Sequence, residues 1–362
     1  MNKSTSLYLD FLRVIAAFGV LLVHSSLPWF SNSLFLPLNL GHRLVMIFFV
    51  LSGYLIAYTV DQKNKGSQLY LIDRFSRLYS VVLPALVFTY IIDLAGKSIN
   101  PGFYLSQITP NHQAVRFLLN ATFLSQIWGL CSKPSSNGPF WSISYEFWYY
   151  MIFWALYYLK GKWKYIVFIG ICMLIGVKIL LLLPVWLFGA IAYRITKYLT
   201  ISNKMAQLLF GVTFISVLLL TFRYDFSFFS DIYRYGEAPL FFSSNFIFDW
   251  VYGLLVAINI FSVGYIVLSV KMPLIIEKAI KYLSSITFSL YLYHLPILVF
   301  IGAVLKYNKS SYIQVILILM CVVAIVSFLS EITEKHRGYF KTLIKNIFLF
   351  FSKKKEIVNT KC

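Results

Sequence analysis

Charge is what this chain has least of. Only 12% of its 362 residues are Asp, Glu, Lys or Arg, against about 25% in an ordinary soluble domain. Acids are scarcer than bases, 13 against 32, for a net charge of +19. Cysteine is also sparse: Cys131, Cys172, Cys321 and Cys362 are scattered, and no disulfide framework is implied. No metal site is predicted. The sequence shows no internal repeat, no low-complexity linker and no separate soluble domain. With no basic domain standing apart from the apolar runs, the positive charge does not point to nucleic acid. In a chain this apolar, Lys and Arg more often mark cytoplasmic loops.

Hydrophobic residues make up 59% and aromatics 19%, and the mean hydropathy is +0.76. The predicted fold is all-α, a polytopic membrane protein with about ten transmembrane helices. Apolar windows place them near 12–29, 41–60, 79–95, 140–158, 164–182, 184–197, 205–222, 248–270, 284–303 and 312–330. Only "LLLP", ending at Pro184, divides the fifth from the sixth. With the N-terminus in the cytoplasm, 22 Lys and Arg fall inside and seven outside, while Arg13, Arg43 and Lys178 lie within spans. That asymmetry predicts both termini inside. The first span has no A-x-A-like cleavage site after it and reads as retained. Residues 1–335 form the membrane domain and 336–362 a basic cytoplasmic tail. Two long outer loops are expected, 96–139 and 223–247, the second aromatic and partly acidic.

Ionisable groups are costly in lipid and mark candidate sites. Arg13 and His24 are eleven residues apart. At about 100° per residue that is roughly 20° past three full turns, so both share one face of the first span, about 16 Å apart along its axis. Ala17 and Val20 lie between them on that face. Alone, Arg13 also reads as a residue snorkelling to the interface, and His24 as a hydrogen-bonded packing histidine. Asp10 sits near the inner interface, within reach of Arg13. "FFVLSGYLI" in the second span carries Ser52 and Gly53, small residues that permit close helix approach. Arg74 and Arg77, three apart, share a helix face and suit phosphate groups, or set topology. "GPFWSISYEFWYY" places Trp141, Ser142 and then Glu146 a few residues into the fourth span. By depth, Glu146 and His24 could meet, a pairing able to orient a general base. His294 lies near the middle of the ninth span beside Pro296. Glu331 and Glu334 approach the inner face at the end of the last span.

These pieces resemble acyltransferase family three, the integral membrane O-acyltransferases of bacteria, along nearly the whole chain. "LDFLRVIAAFGVLLVH" is similar to the family's Arg-x10-His first span, and "FFVLSGYLI" to its second-span signature. "RFSRLY" resembles its arginine pair, "WSISYE" its tryptophan-to-glutamate motif and "SLYLYHLPI" its late-span motif. Two details depart: Ser80 follows Tyr79, with the proline only at Pro84, and the expected Glu-Arg-Pro ending reads Glu334-Lys335-His336.

The resemblance implies an acyl-CoA donor, usually acetyl-CoA, used from the cytoplasm as a substrate, with no bound cofactor. It implies a hydroxyl acceptor in an envelope polysaccharide or lipid-linked saccharide, and a setting in the bacterial inner membrane among its lipids. It makes Arg13 and His24 essential. The expected mechanism has Arg74 and Arg77 holding CoA phosphates and the pantetheine arm running along the Arg13 face. His24, oriented by Glu146, then takes the acceptor proton; an acyl-histidine is the alternative. A flippase or polymerase for lipid-linked sugars, or a proton-coupled transporter using the same His and Glu, are the competing classes.

Overall fold

A computed structural model describes residues 1–34, 36–63, 66–222, 240–267 and 272–359. Most of the loop expected at 223–247 lies outside them, as does Cys362. Among the described residues the chain is helical, with no strand, and Cys131, Cys172 and Cys321 are free thiols.

Among the described residues fourteen α-helices follow one another. They are α1 (Lys3–Ser25), α2 (Leu38–Lys63), α3 (Ser67–Ile99), the short α4 (Pro101–Gln107) and α5 (Gln113–Ala121), and α6 (Phe140–Tyr158). Next come α7 (Gly161–Ile175), α8 (Val177–Ile195) and α9 (Asn203–Phe222), then a 3-10 turn at Phe241–Ser243. The last are α10 (Phe246–Val263), α11 (Leu274–Ser285), α12 (Thr287–Val304), α13 (Tyr312–Ile332) and α14 (Arg337–Asn359). Eight of them are long and apolar enough to cross a membrane: α1, α2, α3, α8, α9, α10, α12 and α13. α6, with 19 residues, and α7, with 15, fall outside that set of eight among the described residues. The start of α1 lies on what we call the terminal face; α4, α5 and residues 122–139 lie on the opposite, loop face.

One boundary differs from the sequence reading. The break between the fifth and sixth spans is at Gly176, with φ +77°, and Pro184 sits inside α8. Glycine takes that left-handed backbone without a Cβ clash. Proline inside a helix only removes one hydrogen bond and bends it, provided a neighbour repairs the loss. The indole of Trp250 braces the neighbouring position of that turn, donating to Leu181 O at 2.6 Å.

Small residues set the closest crossing. A Cβ added to Gly53 of α2 would collide with the Trp186 carbonyl oxygen, and one added to Gly189 of α8 with that of Val50. The two helices therefore touch backbone to backbone, as small residues allow in membranes. At the α1–α2 seam, a Cβ on Gly41 would stand 3.3 Å from Val23 Cγ1. Val23 and Gly41 are thus at one depth.

A second proline organises the site. Pro296 in α12 lacks the N–H that would bond Leu292 O. The Asn137 amide donates to that carbonyl at 2.8 Å, and to Thr89 Oγ1 at 3.0 Å. Ser136 donates to buried Asp93 through both N (3.0 Å) and Oγ (2.8 Å). The loop entering α6 is thereby tied to α3 and α12 together.

At the terminal face α14 lies along the start of α3, where Arg337 donates to Asp73 O at 2.6 Å and Ser76 Oγ at 3.3 Å. Glu277 of α11 pairs with Lys3 and Lys281, both at 2.7 Å. These two ion pairs hold the carboxyl below the ordinary glutamate range.

Candidate active site

The Arg13–His24 face of α1 is buried, with Ala17 and Val20 almost fully covered between them. Both ends of that face meet polar partners. His24 Nδ1 lies 2.7 Å from His294 Nε2, the rings 5.0 Å apart between centroids. His294 Nδ1 lies 2.8 Å from Leu290 O, the carbonyl one turn back in its own helix. A carbonyl only accepts, so His294 Nδ1 carries the proton and its Nε2 offers a lone pair. His24 Nδ1 must then be the donor between the rings. With both imidazoles neutral, His24 Nε2 keeps its lone pair.

Glu146 does not meet His24. Its Oε1 accepts hydrogen bonds from Ser52 Oγ, at 2.8 Å, and from the Tyr150 hydroxyl. Ser52 in turn accepts from Trp186 Nε1 at 3.2 Å, close to the α2–α8 crossing. The reason is axial position. Ser142, one turn before Glu146, bonds Tyr291 at 2.8 Å, whereas His24 bonds His294, three residues further toward the loop face. Glu146 therefore sits deeper, toward the terminal face.

There it lines a cavity of about 60 Å³ with Arg13, Arg77, Ser52, Ser142 and Tyr291. That is room for several waters, one of which needs roughly 10–15 Å³. Arg13 makes an ion pair with Asp10 at 3.7 Å, and Asp10 accepts from Ser284 at 2.8 Å. Arg77 is in Coulombic reach of Glu146, Glu334 and Tyr150. Arg74 lies behind, buried, with its guanidinium 5.6 Å from the Tyr70 ring centre and 5.8 Å from that of Tyr150. Its Nε has no hydrogen-bond partner among the described residues. Glu334 accepts from Ser289 N and Oγ, and burial pushes its carboxyl above the usual glutamate range. Burial and the nearby Arg77 and Arg74 bring Arg337 down to about 10. Toward the loop face the cavity ends at Tyr291, whose ring centre is 6.4 Å from that of His294.

So the sequence-selected residues fall into two groups. Arg13, Ser52, Ser142 and Glu146 line the cavity with Arg77, with Asp10, Arg74 and Glu334 around it. His24 and His294 stand beyond it. Gly53 serves the α2–α8 crossing. Trp141 packs toward the loop face, stacked at 4.2 Å on Phe242.

Some polar residues were missed from sequence. Tyr150 and Tyr291 are hidden among 26 tyrosines. His42 Nε2 bonds both oxygens of buried Asp249, at 3.1 and 3.0 Å. Two signals could have found this pair: an isolated acid in the apolar run "FIFDWVYG", and the 42, 45, 49, 52 spacing that puts His42 on the face of Ser52.

A helical bundle with eight helices long and apolar enough to cross a membrane, with arginines and a carboxylate around an internal cavity and a histidine pair beyond it, defines a polytopic membrane protein with a buried polar site. The family model described as an acyltransferase domain matches residues 6–332, and the chain belongs to that family, the membrane acyltransferases of family three. No curated protein and no solved structure matches it.

Proposed function

We propose that this membrane acyltransferase moves an acyl group, acetyl in the first instance, from cytoplasmic acyl-CoA to a hydroxyl of a cell-envelope glycan or lipid-linked saccharide. The terminal face is then cytoplasmic and the membrane the bacterial inner one, consistent with the excess of Lys and Arg on that side. Arg77 and Arg74, with Arg337 nearby, hold the CoA phosphates, which suit planar guanidinium forks. The bare Nε of buried Arg74 favours an anionic ligand there. Arg13 and the cavity guide the pantetheine arm toward His24.

One observation carries this reading: the His24–His294–Leu290 chain leaves His24 Nε2 as a fixed lone pair beyond the arginine-lined cavity. Such a nitrogen can attack a thioester or take a hydroxyl proton. Glu146 acts at the donor end, balancing Arg13 and Arg77, rather than on His24.

Mass spectrometry of surface glycans, from cells carrying wild type or His24→Ala at matched membrane abundance, tests the assignment. Loss of the acetyl mass increment in the variant is expected. Wild-type acetylation in His24→Ala overturns it.

A further inference from the structure

His42 sits one turn beyond Val45 on the row of α2 that also presents Phe49 and Ser52, and those three residues line the cavity. The contact between Gly41 and Val23 puts His42 at the depth of His24. His24 and His42 therefore lie at one depth on two adjoining helices, on the loop-face side of the cavity.

The two histidines are backed differently. The chain behind His24 ends on a neutral backbone carbonyl, so once acylation of His24 has moved its proton onto His294, no carboxylate is there to pair with the acceptor's proton as well. His42 is backed by the Asp249 carboxylate, which is 1% exposed and lies in the first turn of α10, where the helix dipole favours an anion. Because a carboxylate only accepts, His42 Nε2 carries the proton and Nδ1 is the basic nitrogen. Nδ1 has no hydrogen-bond partner among the described residues, and the side chain is 21% exposed. Trp141, stacked on the imidazole at 5.6 Å and 12°, fixes the ring plane. A carboxylate that orients an imidazole and stabilises its imidazolium is the arrangement of a general base.

We propose that His42, held by Asp249, is the base that deprotonates the acceptor hydroxyl, and that His24 is the nucleophile that carries the acyl group. The proposal rests on the acyl-transfer reading above. In the first step His24 Nε2 bonds the thioester carbon, the C–S bond breaks and the thiolate leaves. The His24 Nδ1 proton passes to His294 Nε2, so the acyl-imidazole is neutral. In the second step the acceptor oxygen bonds the acyl carbon and its proton goes to His42 Nδ1, giving an imidazolium paired with Asp249. The C–N bond breaks, its electron pair returns to His24 Nε2, and His294 gives the proton back to His24 Nδ1. The imidazolium releases its proton to water, and the thiolate takes one from water.

The test supplies radiolabelled acetyl-CoA to purified wild type, His42→Gln and Asp249→Asn. The acceptors are membranes from cells lacking this chain or, separately, hydroxylamine, which attacks without a base. Thermal unfolding in detergent checks that each variant folds. Labelling of membrane glycan is expected to fall about 100-fold in both variants, while acetohydroxamate formation stays within about threefold of wild type. Wild-type glycan labelling by His42→Gln overturns the assignment. Equal loss with both acceptors overturns it too, because His42 would then be structural. If wild type itself consumes no acetyl-CoA with either acceptor, the acyl-transfer reading fails first.

Discussion

His24 and His294, 270 positions apart in the chain, share one proton across 2.7 Å, and the Leu290 carbonyl decides which ring owns it. A neutral imidazole in water interchanges its tautomers. Here the second histidine holds the first in the form protonated on Nδ1, with the bare Nε2 available.

That tautomer is directly measurable. Nitrogen-15 NMR of histidine-labelled protein, assigned with His24→Gln, is expected to show His24 protonated on Nδ1 alone. Activity should follow acceptor capacity at position 294. His294→Ala is expected to lower glycan acylation at least about tenfold, since losing the residue that fixes an active histidine's tautomer can cost up to about 10⁴. His294→Gln, which still offers an oxygen to the His24 proton, should recover part of that loss. Equal activity in the two variants would show that tautomer control is irrelevant.

Arg77 is the arginine of the pair that reaches the cavity. One charge-assisted hydrogen bond contributes roughly 1.5–3 kcal/mol, so Arg77→Ala should raise the acyl-CoA KM by about 10- to 150-fold. The change belongs in KM more than in kcat, because the phosphates lie far from the reacting carbon. Steady-state kinetics in nanodiscs separates the two parameters.

Gly53 and Gly189 have no room for a methyl group. Replacing either by Ala pushes α2 from α8 and should destabilise the bundle by about 1–3 kcal/mol, the usual effect of overpacking. Gly211 of α9 has open space around it, so Gly211→Ala should be neutral or stabilising by up to about 1 kcal/mol. Thermal unfolding in detergent ranks the three, and similar midpoints for all would contradict the backbone contact.

Glu277 supplies a pH dependence. Its carboxyl is depressed by Lys281 and Lys3, so its folded value lies below its unfolded one. The stabilisation is complete above the unfolded value, about 4.3, and is lost as pH falls through the lower folded value. The unfolding midpoints of wild type and Glu277→Gln should differ by a constant amount from neutral pH to about pH 5 and converge in stronger acid.

How much of this was legible beforehand depends on whether a local pattern carried it. Arg13 and His24 were placed on one buried face by helical period alone, and Gly53 was marked as a close-approach residue by its size. The all-α membrane bundle followed from hydropathy, with eight helices long and apolar enough to cross where the apolar windows suggested about ten. Proline is the louder signal, yet α8 runs on through Pro184 and the break before it falls at Gly176, where glycine takes the φ of +77°. The partner of His24 was misjudged for a different reason. Depth counted from span ends assumes equal, untilted helices, and a shift of one turn is enough to exchange Glu146 for His294. His42 and Asp249, 207 positions apart, meet only through the tertiary arrangement of α2 and α10.

Pro296 and Asn137 have a genetic consequence. The proline creates a spare carbonyl at Leu292, and the amide exists there to use it. Converting Pro296 to alanine would return that carbonyl to its helix and strand the amide; converting Asn137 to leucine would strand the carbonyl. Neither substitution should be tolerated as well alone as the two together, so across descendants of this sequence the positions are expected to change as a pair. The helix carrying His294 and the segment leading to Glu146 would then be inherited as one unit, although the chain separates them by more than a hundred residues.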